Sequence, residues 1–467
     1  MNRPLFGRTI RRLRIEQSLT QQALALRLGI SASYLNLIEH DQRNLTASLL
    51  IKLGAVLHVD LAALSGNEER QLEAGLREVM ADPLLGVAEV PEAEIQALAA
   101  SSPLAARAVL TLYRAWRVAR EDASGITLPS GRRILLPAEE ARDFFQDRAN
   151  HFPPLEALAE AIHAELQAAR TELERALADR LQRLHAVRIR IGPLGAVLRR
   201  YDPSAKLLDL AETMPANSRA FQLAFQLILL ESRDAVDCVM AAATPSTKEA
   251  ADLIRVGLLN YAAAALLMPY APFLAAAEEL RYDVDALAAR FGTSFEQIAH
   301  RLSTLQREGA RGVPFFFLRT DPAGNMDKRF SAAGFPFARF GGSCPRWVAH
   351  TAFATPDRLC VQLAELPDGA TFLTAARTLT GPVAHWGQPV PTRVLAIGCD
   401  IGRAGEVIYA DGLDLEHARV GIGLSCRLCD RTGCHSRAFP PLAHRLIIDP
   451  NEDSQSPWRF AAPLRSV

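Results

Sequence analysis

Long apolar runs are scarce in this sequence. Its first stretch, MNRPLFGRTIRRLR, is basic and amphipathic rather than apolar, so we expect no secretory signal. The most apolar stretch, LLNYAAAALLMPYAPFLAAA, is interrupted by Pro269 and Pro272, and its unbroken part is too short to span a bilayer. We therefore predict a soluble, cytoplasmic protein with no membrane partner.

Net charge is absent as well, because 52 Lys and Arg residues balance 52 Asp and Glu residues. The balance hides an asymmetry along the chain. Residues 1–53 contain eight basic and three acidic residues, so the rest of the chain is net acidic. A small basic module attached to an acidic body fits nucleic-acid binding at one end of the protein.

The length of 467 residues is too great for one ordinary hydrophobic core. Changes in periodicity predict a multidomain, mostly α architecture with α+β parts. We place a helix-turn-helix domain at 1–64, a helical connector at 65–186, an α+β domain at 187–310 and a cysteine-rich α+β domain at 311–467. Residues 155–184 are long enough for a connecting or dimer-forming helix, although a helix packed on its own domain fits equally well.

The stretch LTQQALALRLGISASYLNLIEHDQRN has the spacing of a helix-turn-helix. Thr20 and Ser31 are suitable N-caps, and Gly29 suits the turn between two helices. The stretch resembles lambda-repressor-like (XRE) DNA-binding domains. The resemblance assigns base reading to the third helix and phosphate contacts to the start of the second, and the residues that we expect to face DNA are Gln21, Ala32, Ser33, Asn36, Leu37 and Arg43.

Two stretches of the 187–310 region, SRAFQLAFQLILL and VGLLNYAAAALLMP, resemble the ImmA/IrrE-type zinc peptidase domain. Such a peptidase needs two histidines one helical turn apart, a glutamate base and a later ligand. Here Phe225 and Leu229 stand at the histidine positions, Gln226 at the glutamate position and Val256 at the later ligand position. The resemblance therefore implies a degenerate zincin-like fold without peptidase activity, and an ordinary buried helix would predict the same inactivity.

The seven cysteines are not spread evenly, since four lie between positions 399 and 434. Cys426, Cys429 and Cys434 are close in sequence, and Cys399 follows a predicted strand and could be a fourth ligand. Four thiolates suit either a [4Fe–4S] cluster or structural zinc, and the spacing does not separate the two. The remaining candidates are Cys344 as a reserve ligand, His417 and His435 as zinc ligands, and Cys238 and Cys360 as core residues.

Four C-terminal motifs, FFFLRTDPAGNMDKRFS, GGSCPRW, YADGLDL and CRLCDRTGCHSRAFPP, complete a resemblance over nearly the whole chain. The chain resembles the short-chain fatty acyl-CoA regulator family. This implies a bacterial one-component transcriptional regulator of propionate, acetate and related metabolism, with an acyl-CoA effector and iron–sulfur ligation by the matching cysteines. We also expect a homodimer on two-fold double-stranded DNA. The alternative is an iron–sulfur or zinc enzyme or redox sensor acting on CoA thioesters, but no dinucleotide-binding fingerprint supports an enzyme.

The effector is expected in the former peptidase cleft, because Phe225, Gln226 and Leu229 make that cleft apolar. An apolar cleft could accept a short acyl chain and the pantetheine arm. Guanidinium groups suit phosphates, and tyrosines could stack on adenine. The candidate effector-binding residues are Arg199, Arg200, Tyr201, Arg219, Phe225, Leu229, Arg255 and Tyr261. The alternative is that Phe225 and Leu229 only fill the vacated space.

Overall fold

A computed structural model describes residues 6–460 except 18, 41, 44–45, 58–66, 83–89, 124–136, 167–171, 338–342, 382–386, 388–389, 442–443 and 457. The helices in these ranges are α1 Phe6–Glu16, α2 Gln21–Leu28, α3 Ala32–Glu39, α4 Ala47–Leu57, α5 Asn67–Met80, α6 Glu92–Ser101, α7 Pro103–Ala123, α8 Pro137–Asp147, α9 Pro153–Leu166, α10 Leu173–His185, α11 Ala216–Glu231, α12 Arg233–Ala241, α13 Lys248–Leu267, α14 Tyr270–Glu279, α15 Val284–Phe291, α16 Phe295–Leu302 and α17 Val348–Thr351. The strands are β1 Arg188–Gly192, β2 Arg199–Asp202, β3 Leu207–Ala211, β4 Phe316–Thr320, β5 Met326–Ser331, β6 Cys360–Glu365, β7 Thr371–Thr380, β8 Thr392–Asp400 and β9 Arg419–Gly421.

Helices α1–α4 form a small domain, called the head below, and they confirm the predicted helix-turn-helix. The Thr20 hydroxyl accepts from the backbone N–H of Ala23, and the Ser31 hydroxyl accepts from Tyr34 N–H, so both predicted N-caps are present. Gly29 ends α2 with a φ of 71°, a left-handed conformation that favours glycine. The apolar sides of these helices bury one common cluster that includes Leu24, Leu28, Leu35, Ile38 and Leu53.

The predicted connector is divided between two packing units. Helices α5–α7 share their own apolar cluster, which includes Leu72, Leu76, Ile95 and Leu110. Helices α8–α10 instead contribute to the large core of the following domain. The predicted unit 65–186 therefore spans two packing units, and its start lies outside the described residues. Residues 155–184 do not form one described helix, because α9 ends at Leu166 and α10 begins at Leu173.

The middle domain combines a three-stranded sheet with a helical core. The strand order is β1-β3-β2, with β1 parallel and β2 antiparallel to β3, so β2 lies at one edge. Helix α13 is the one helix in the described residues that is long and apolar enough to cross a membrane by itself, but 61% of its most apolar window is buried inside the protein. It ends just before Pro269, the N-cap of the next helix, and it serves as a core helix of this domain.

The C-terminal domain is built on a six-stranded sheet of order β5-β4-β8-β7-β6-β9. All neighbouring strands are antiparallel except β6 and β9, which are parallel. Successive side chains of a strand point to opposite faces. In β8, Leu395, Ile397 and Cys399 join the core that is continuous with the middle domain, whereas Val394 and Ala396 join a second cluster on the other face.

A buried ion pair joins three helices of the middle domain. The Arg301 guanidinium of α16 donates to both carboxylate oxygens of Glu156 of α9, at 2.6 and 2.9 Å, and both side chains are essentially inaccessible to solvent. Tyr261 of α13 donates its hydroxyl to the same carboxylate at 2.5 Å. Arg301 Nε also donates to the carbonyl of Met268. The two buried charges therefore have both a counter-charge and hydrogen-bond partners, as buried charges require.

Burial alone would raise the pKa of the Glu156 carboxyl, but the charge and hydrogen bonds of Arg301, together with the Tyr261 hydroxyl, lower it below its usual value of 4.5. A carboxyl with a lowered folded-state pKa stabilises the fold above its unfolded-state pKa. That contribution is lost as the pH falls below about 4.5 and through the lowered value. The ion pair is therefore one source of acid sensitivity in this domain.

We predict that Glu156→Gln lowers the free energy of unfolding by about 3 kcal/mol or more, because Arg301 would stay buried without a counter-charge. Chemical denaturation followed by circular dichroism measures the loss. The matched control is Glu160→Gln, one turn further along α9, whose partner Arg307 is about one-third exposed at 34%. The control should cost less than about 1 kcal/mol. Similar losses in the two variants would contradict the special role of the buried pair.

Candidate functional site

The outer face of α3 carries the predicted base-reading residues. Ser33 and Asn36 are exposed and lie three positions apart, on one side of the helix. Leu37 is half-buried, and Ala32 is half-buried and packs against the head core, so Ala32 faces outward less than we expected. Arg43 follows α3 and is exposed. The exposed outer face of α3 is therefore smaller than the sequence predicted, and among the predicted α3 residues only Ser33 and Asn36 are exposed.

A chain of hydrogen bonds behind α3 holds Asn36 in place. Arg14 of α1 donates to both carboxylate oxygens of Glu39, at 2.6 and 2.9 Å. Gln21 donates its amide both to Glu39, at 2.8 Å, and to the Asn36 side chain, at 3.1 Å. We expected the Gln21 side chain to meet the DNA backbone, but here it orients Asn36. Sequence reasoning missed Arg14 and Glu39, although a charged residue on the buried side of each helix was a signal for such a pair.

Arg199 contacts two of the positions that the resemblance matches to a zinc site. Arg199 on β2 donates from Nη1 to Gln226 Oε1 at 2.5 Å, and its guanidinium lies 4.3 Å from the centre of the Phe225 ring. Phe225 and Gln226 are buried, whereas Leu229 is 41% exposed and Val256 on α13 is 49% exposed. We use the name α11 groove for the cluster of Arg199, Phe225, Gln226 and Leu229, in which Leu229 is the most exposed member of α11. The two apolar residues at former histidine positions do not both fill the vacated space, because Leu229 reaches solvent.

The other predicted phosphate-binding arginines do not converge on the α11 groove. Arg219 pairs with Glu174 at 3.0 Å, and Arg255 pairs with Asp237 at 2.8 Å. Arg200 follows Arg199 on β2, so its exposed side chain points to the opposite face of the sheet. Glu174 and Asp237 thus already provide counter-charges for Arg219 and Arg255.

The prediction that Tyr261 contacts a ligand is wrong. Tyr261 is 1% exposed, and its hydroxyl donates to Glu156 and accepts from the backbone N–H of Phe152. The physical reason is the buried carboxylate of Glu156, a residue far away in sequence that needs this hydroxyl as a donor. Tyr201 is half-buried against the core on the same side of β2 as Arg199, and its predicted role remains a prediction.

Residues 421–441, called the cysteine loop, are held by two arginines that the sequence analysis did not single out. Arg437 is only 4% exposed and donates to the backbone carbonyls of Cys426, Cys429 and Arg431, at 2.6, 2.7 and 3.0 Å. Arg431 donates to the carbonyl and carboxylate of Glu365 at the end of β6. The first arginine closes the loop on itself, and the second attaches it to the sheet.

Cys399 does not lie with the other predicted ligands. Its side chain points into the core shared with the middle domain, where burial raises the pKa of its thiol to about 12. The cysteine loop packs instead on the other face of the sheet, as shown by Ile422 in that second cluster. Cys344 belongs to the same second cluster, and its thiol accepts from the backbone N–H of Gly423, which lies against Cys429. The reserve ligand Cys344 therefore replaces Cys399 in the candidate set.

Backbone N–H groups and burial act in opposite directions on these thiols. Backbone N–H groups point to three of the four sulfurs: that of Ala438 to Cys426 at 3.3 Å, others to Cys344 and Cys429. Burial nevertheless raises the pKa of the Cys344 and Cys429 thiols in this structure. In the described ranges, no three His, Cys, Asp or Glu side chains already have metal-binding spacing. Cysteine sulfur is a suitable ligand for zinc or an iron–sulfur cluster. In this structure, however, the sulfurs are not close enough together to share one coordination sphere.

Both predicted histidine ligands lie on the protein surface. His417 is exposed and bonded to Asp414, and His435 is exposed. His435 lines a cavity of about 450 Å³ between the cysteine loop and the last described segment, together with Trp458 and Phe460. The size lies within the range of small-molecule sites. This cavity is the alternative location for a ligand in the C-terminal domain.

A helix-turn-helix head on a much larger body is typical of HTH-type transcriptional regulators. Comparisons with known proteins agree. Family models match residues 10–64 (helix-turn-helix), 181–303 (IrrE N-terminal-like domain) and 304–458 (short-chain fatty acyl coenzyme A regulator, C-terminal). The chain belongs to the short-chain fatty acyl coenzyme A regulator family, as its motifs suggested. It is a transcriptional regulator rather than an enzyme, which confirms the sequence-based prediction.

The relatives match this chain over almost its whole length. The HTH-type transcriptional regulator RamB of Mycobacterium tuberculosis is 40% identical over 98% of this chain and 99% of its own. The propionyl-CoA carboxylase regulator of Cereibacter sphaeroides is 40% identical over 97% of this chain and 98% of its own. A solved structure of a Mycobacterium tuberculosis transcriptional regulator is 41% identical and superposes with a TM-score of 0.67, covering 69% of this chain and 99% of that one.

We predict that two head variants affect DNA binding differently. Arg43→Ala should weaken binding to all sequences and reduce the slope of log affinity against log salt by about one, because one phosphate contact is lost. Asn36→Ala should change the preference among operator sequences by about 1–3 kcal/mol at the contacted base. Fluorescence anisotropy with operator and mutated duplexes measures both effects.

The control for these head variants is Arg175→Ala, which removes an arginine that is 85% exposed on α10 of the middle domain. It should leave affinity and salt slope unchanged. If Asn36→Ala reduces binding to every duplex equally, Asn36 does not read bases.

Proposed function

We propose that the protein controls genes of short-chain acyl-CoA metabolism by binding operator DNA through its head in response to an acyl-CoA thioester. Support comes from the C-terminal family match and from a relative named for the regulation of propionyl-CoA carboxylase. Bacterial operator DNA lies in the cytoplasm, so the proposal places the protein there. Because one head presents one recognition helix, and two-fold operators require two, the acting species in this proposal is a homodimer.

The observation that carries the effector proposal is the α11 groove. Zinc-binding and catalytic side chains are replaced there by an aromatic ring, an amide and an exposed leucine, with one guanidinium between them. A partly apolar recess with a few polar groups is typical of small-molecule sites. Phe225 and Leu229 would contact the acyl chain, and Arg199 would contact a polar part of the ligand.

Operator binding tests the regulator proposal directly. Fluorescence anisotropy on the protein's own upstream DNA, with acyl-CoAs of two to six acyl carbons and with free CoA, should show a change in affinity that depends on the acyl group. A variant with Ser33→Ala and Asn36→Ala should lose operator preference but keep calorimetric binding of acyl-CoA. Operator affinity that no acyl-CoA alters would overturn the effector part of the proposal.

We predict that Phe225→Ala shifts acyl-CoA preference toward longer chains, because removing the ring opens space beside Leu229. The gain should be about 0.8 kcal/mol for each additional methylene that becomes buried. Calorimetry across the same two- to six-carbon series measures it. The control is Ile191→Ala, which removes an exposed apolar side chain from β1 at the opposite edge of the sheet. Unchanged affinities in Phe225→Ala would move the effector site to the 450 Å³ cavity of the C-terminal domain.

We further propose that Cys344, Cys426, Cys429 and Cys434 hold a [4Fe–4S] cluster, with structural zinc as the second candidate. The support is that soft sulfur donors gather on one face of the sheet and that backbone N–H groups point to three of them. A bound cluster would supply redox or structural chemistry at this face. The chain's own part is to hold the loop, which Arg437 does through three backbone carbonyls.

We predict that anaerobically purified protein is brown and contains about four irons per chain. Cys344→Ser should lose most of the iron and the visible absorbance, since it removes one ligand. Cys399→Ser should retain both, because Cys399 lies on the other face of the sheet. Iron retained in Cys344→Ser but lost in Cys399→Ser would reverse the assignment. Colourless protein with about one zinc per chain would assign the site to zinc.

A further inference from the structure

Arg199 is a half-buried cation without an acidic partner among the described residues. It uses one N–H of its five to reach Gln226, at 2.5 Å, and its guanidinium lies over the Phe225 ring. Arg219 and Arg255, on the two helices that pack together beside this strand, each pair with a carboxylate. Burial lowers the pKa of Arg199, as expected for a guanidinium that has no counter-charge beside it. The groove therefore contains a cation that lacks its anion.

Gln226 adds a second unsatisfied donor. The residue is 0% exposed, and its Oε1 accepts from Arg199, which fixes the orientation of the amide. The amide nitrogen Nε2 is then left without a partner in this structure. A buried donor without a partner costs about 1–3 kcal/mol, so an acceptor that reaches it would be favoured. The guanidinium has further N–H donors beyond the one bonded to Gln226, and the buried amide nitrogen has no acceptor in this structure.

The groove is apolar around these donors. Leu229 lies one turn beyond Phe225 on α11, is 41% exposed, and forms an apolar wall with the Phe225 ring. Such a wall suits a short aliphatic group. A single guanidinium matches one carboxylate, which it can bind through two parallel hydrogen bonds. The several phosphate charges of coenzyme A would need more cations than this groove holds, because the other candidate arginines are paired or point elsewhere.

We propose that Arg199 and Gln226 form a carboxylate subsite in the α11 groove, and that the preferred ligand carries this carboxylate on a short aliphatic group. The carboxylate could belong to a dicarboxylic acyl thioester or to a free short-chain acid. The inference rests on the proposed effector groove and narrows its ligand. The geometry gives Arg199 the role of binding the anion, Gln226 that of orienting Arg199 and donating a further hydrogen bond, and Leu229 that of contacting the aliphatic part.

The test compares ligands that differ by one carboxylate. Calorimetry on the full-length protein should show methylmalonyl-CoA binding at least about tenfold more tightly than propionyl-CoA, and malonyl-CoA more tightly than acetyl-CoA, as expected for a hydrogen-bonded charge pair. Arg199→Gln should remove the difference within each pair. Arg200→Gln is the matched control, because the neighbouring side chain points to the opposite face of β2, and it should keep the difference. Thermal unfolding checks that both variants are folded.

Free propionate and free succinate form the second arm of the experiment. If they bind without CoA and Arg199→Gln abolishes this binding, the subsite is supported and its source is a free acid. Equal affinities within each CoA pair in the wild-type protein would overturn the carboxylate subsite while leaving the acyl-CoA proposal intact. A carboxylate preference that persists in Arg199→Gln would also overturn it. If no CoA thioester binds or alters operator affinity, the proposed effector function itself fails.

Discussion

The buried ion pair between Arg301 and Glu156 fixes the elements on which both proposed ligand sites depend. It joins α9 and α16, and through Tyr261 it also joins α13, the helix that carries Val256 beside the α11 groove. Helix α16 continues the connection into the C-terminal domain, where Arg319 of β4 and Lys328 of β5 pair with Glu296. The desolvated pair thus holds α9, α13 and α16 together, and α16 in turn pairs with the large sheet.

The positions that the resemblance matches to a zinc site lie beside a cation without a counter-charge among the described residues. A zinc site balances a cation with histidines and carboxylates. Here β2 places the Arg199 guanidinium beside the same helical positions, and the neutral amide of Gln226 replaces a carboxylate. An amide oxygen can accept a hydrogen bond but cannot balance the charge. The Arg199 guanidinium is therefore hydrogen-bonded to Gln226 but not neutralised by it.

Local sequence signals predicted the elements well, and non-local contacts account for the errors. Thr20, Gly29 and Ser31 act through their own neighbouring backbone, so the head could be recognised from sequence. The alternation in β8 placed Cys399 on the same face as Leu395 and Ile397, but it could not say which face the cysteine loop covers. That depends on the pairing of β6 with β9 and on Arg431 reaching Glu365. Tyr261 was misplaced for the same reason, since its partner Glu156 is remote in sequence.

The two faces of the six-stranded sheet relate the sites physically. One face packs on the middle domain, where Arg377 of β7 pairs with Asp285 of α15, and the other face carries the cysteine loop. The β5 edge of the sheet is attached to α8 by Gln146, which exchanges two hydrogen bonds with the Ser331 backbone. A strand cannot shift on one face without moving its alternate side chains on the other. The cysteine loop and the middle domain therefore pack on opposite faces of the same strands.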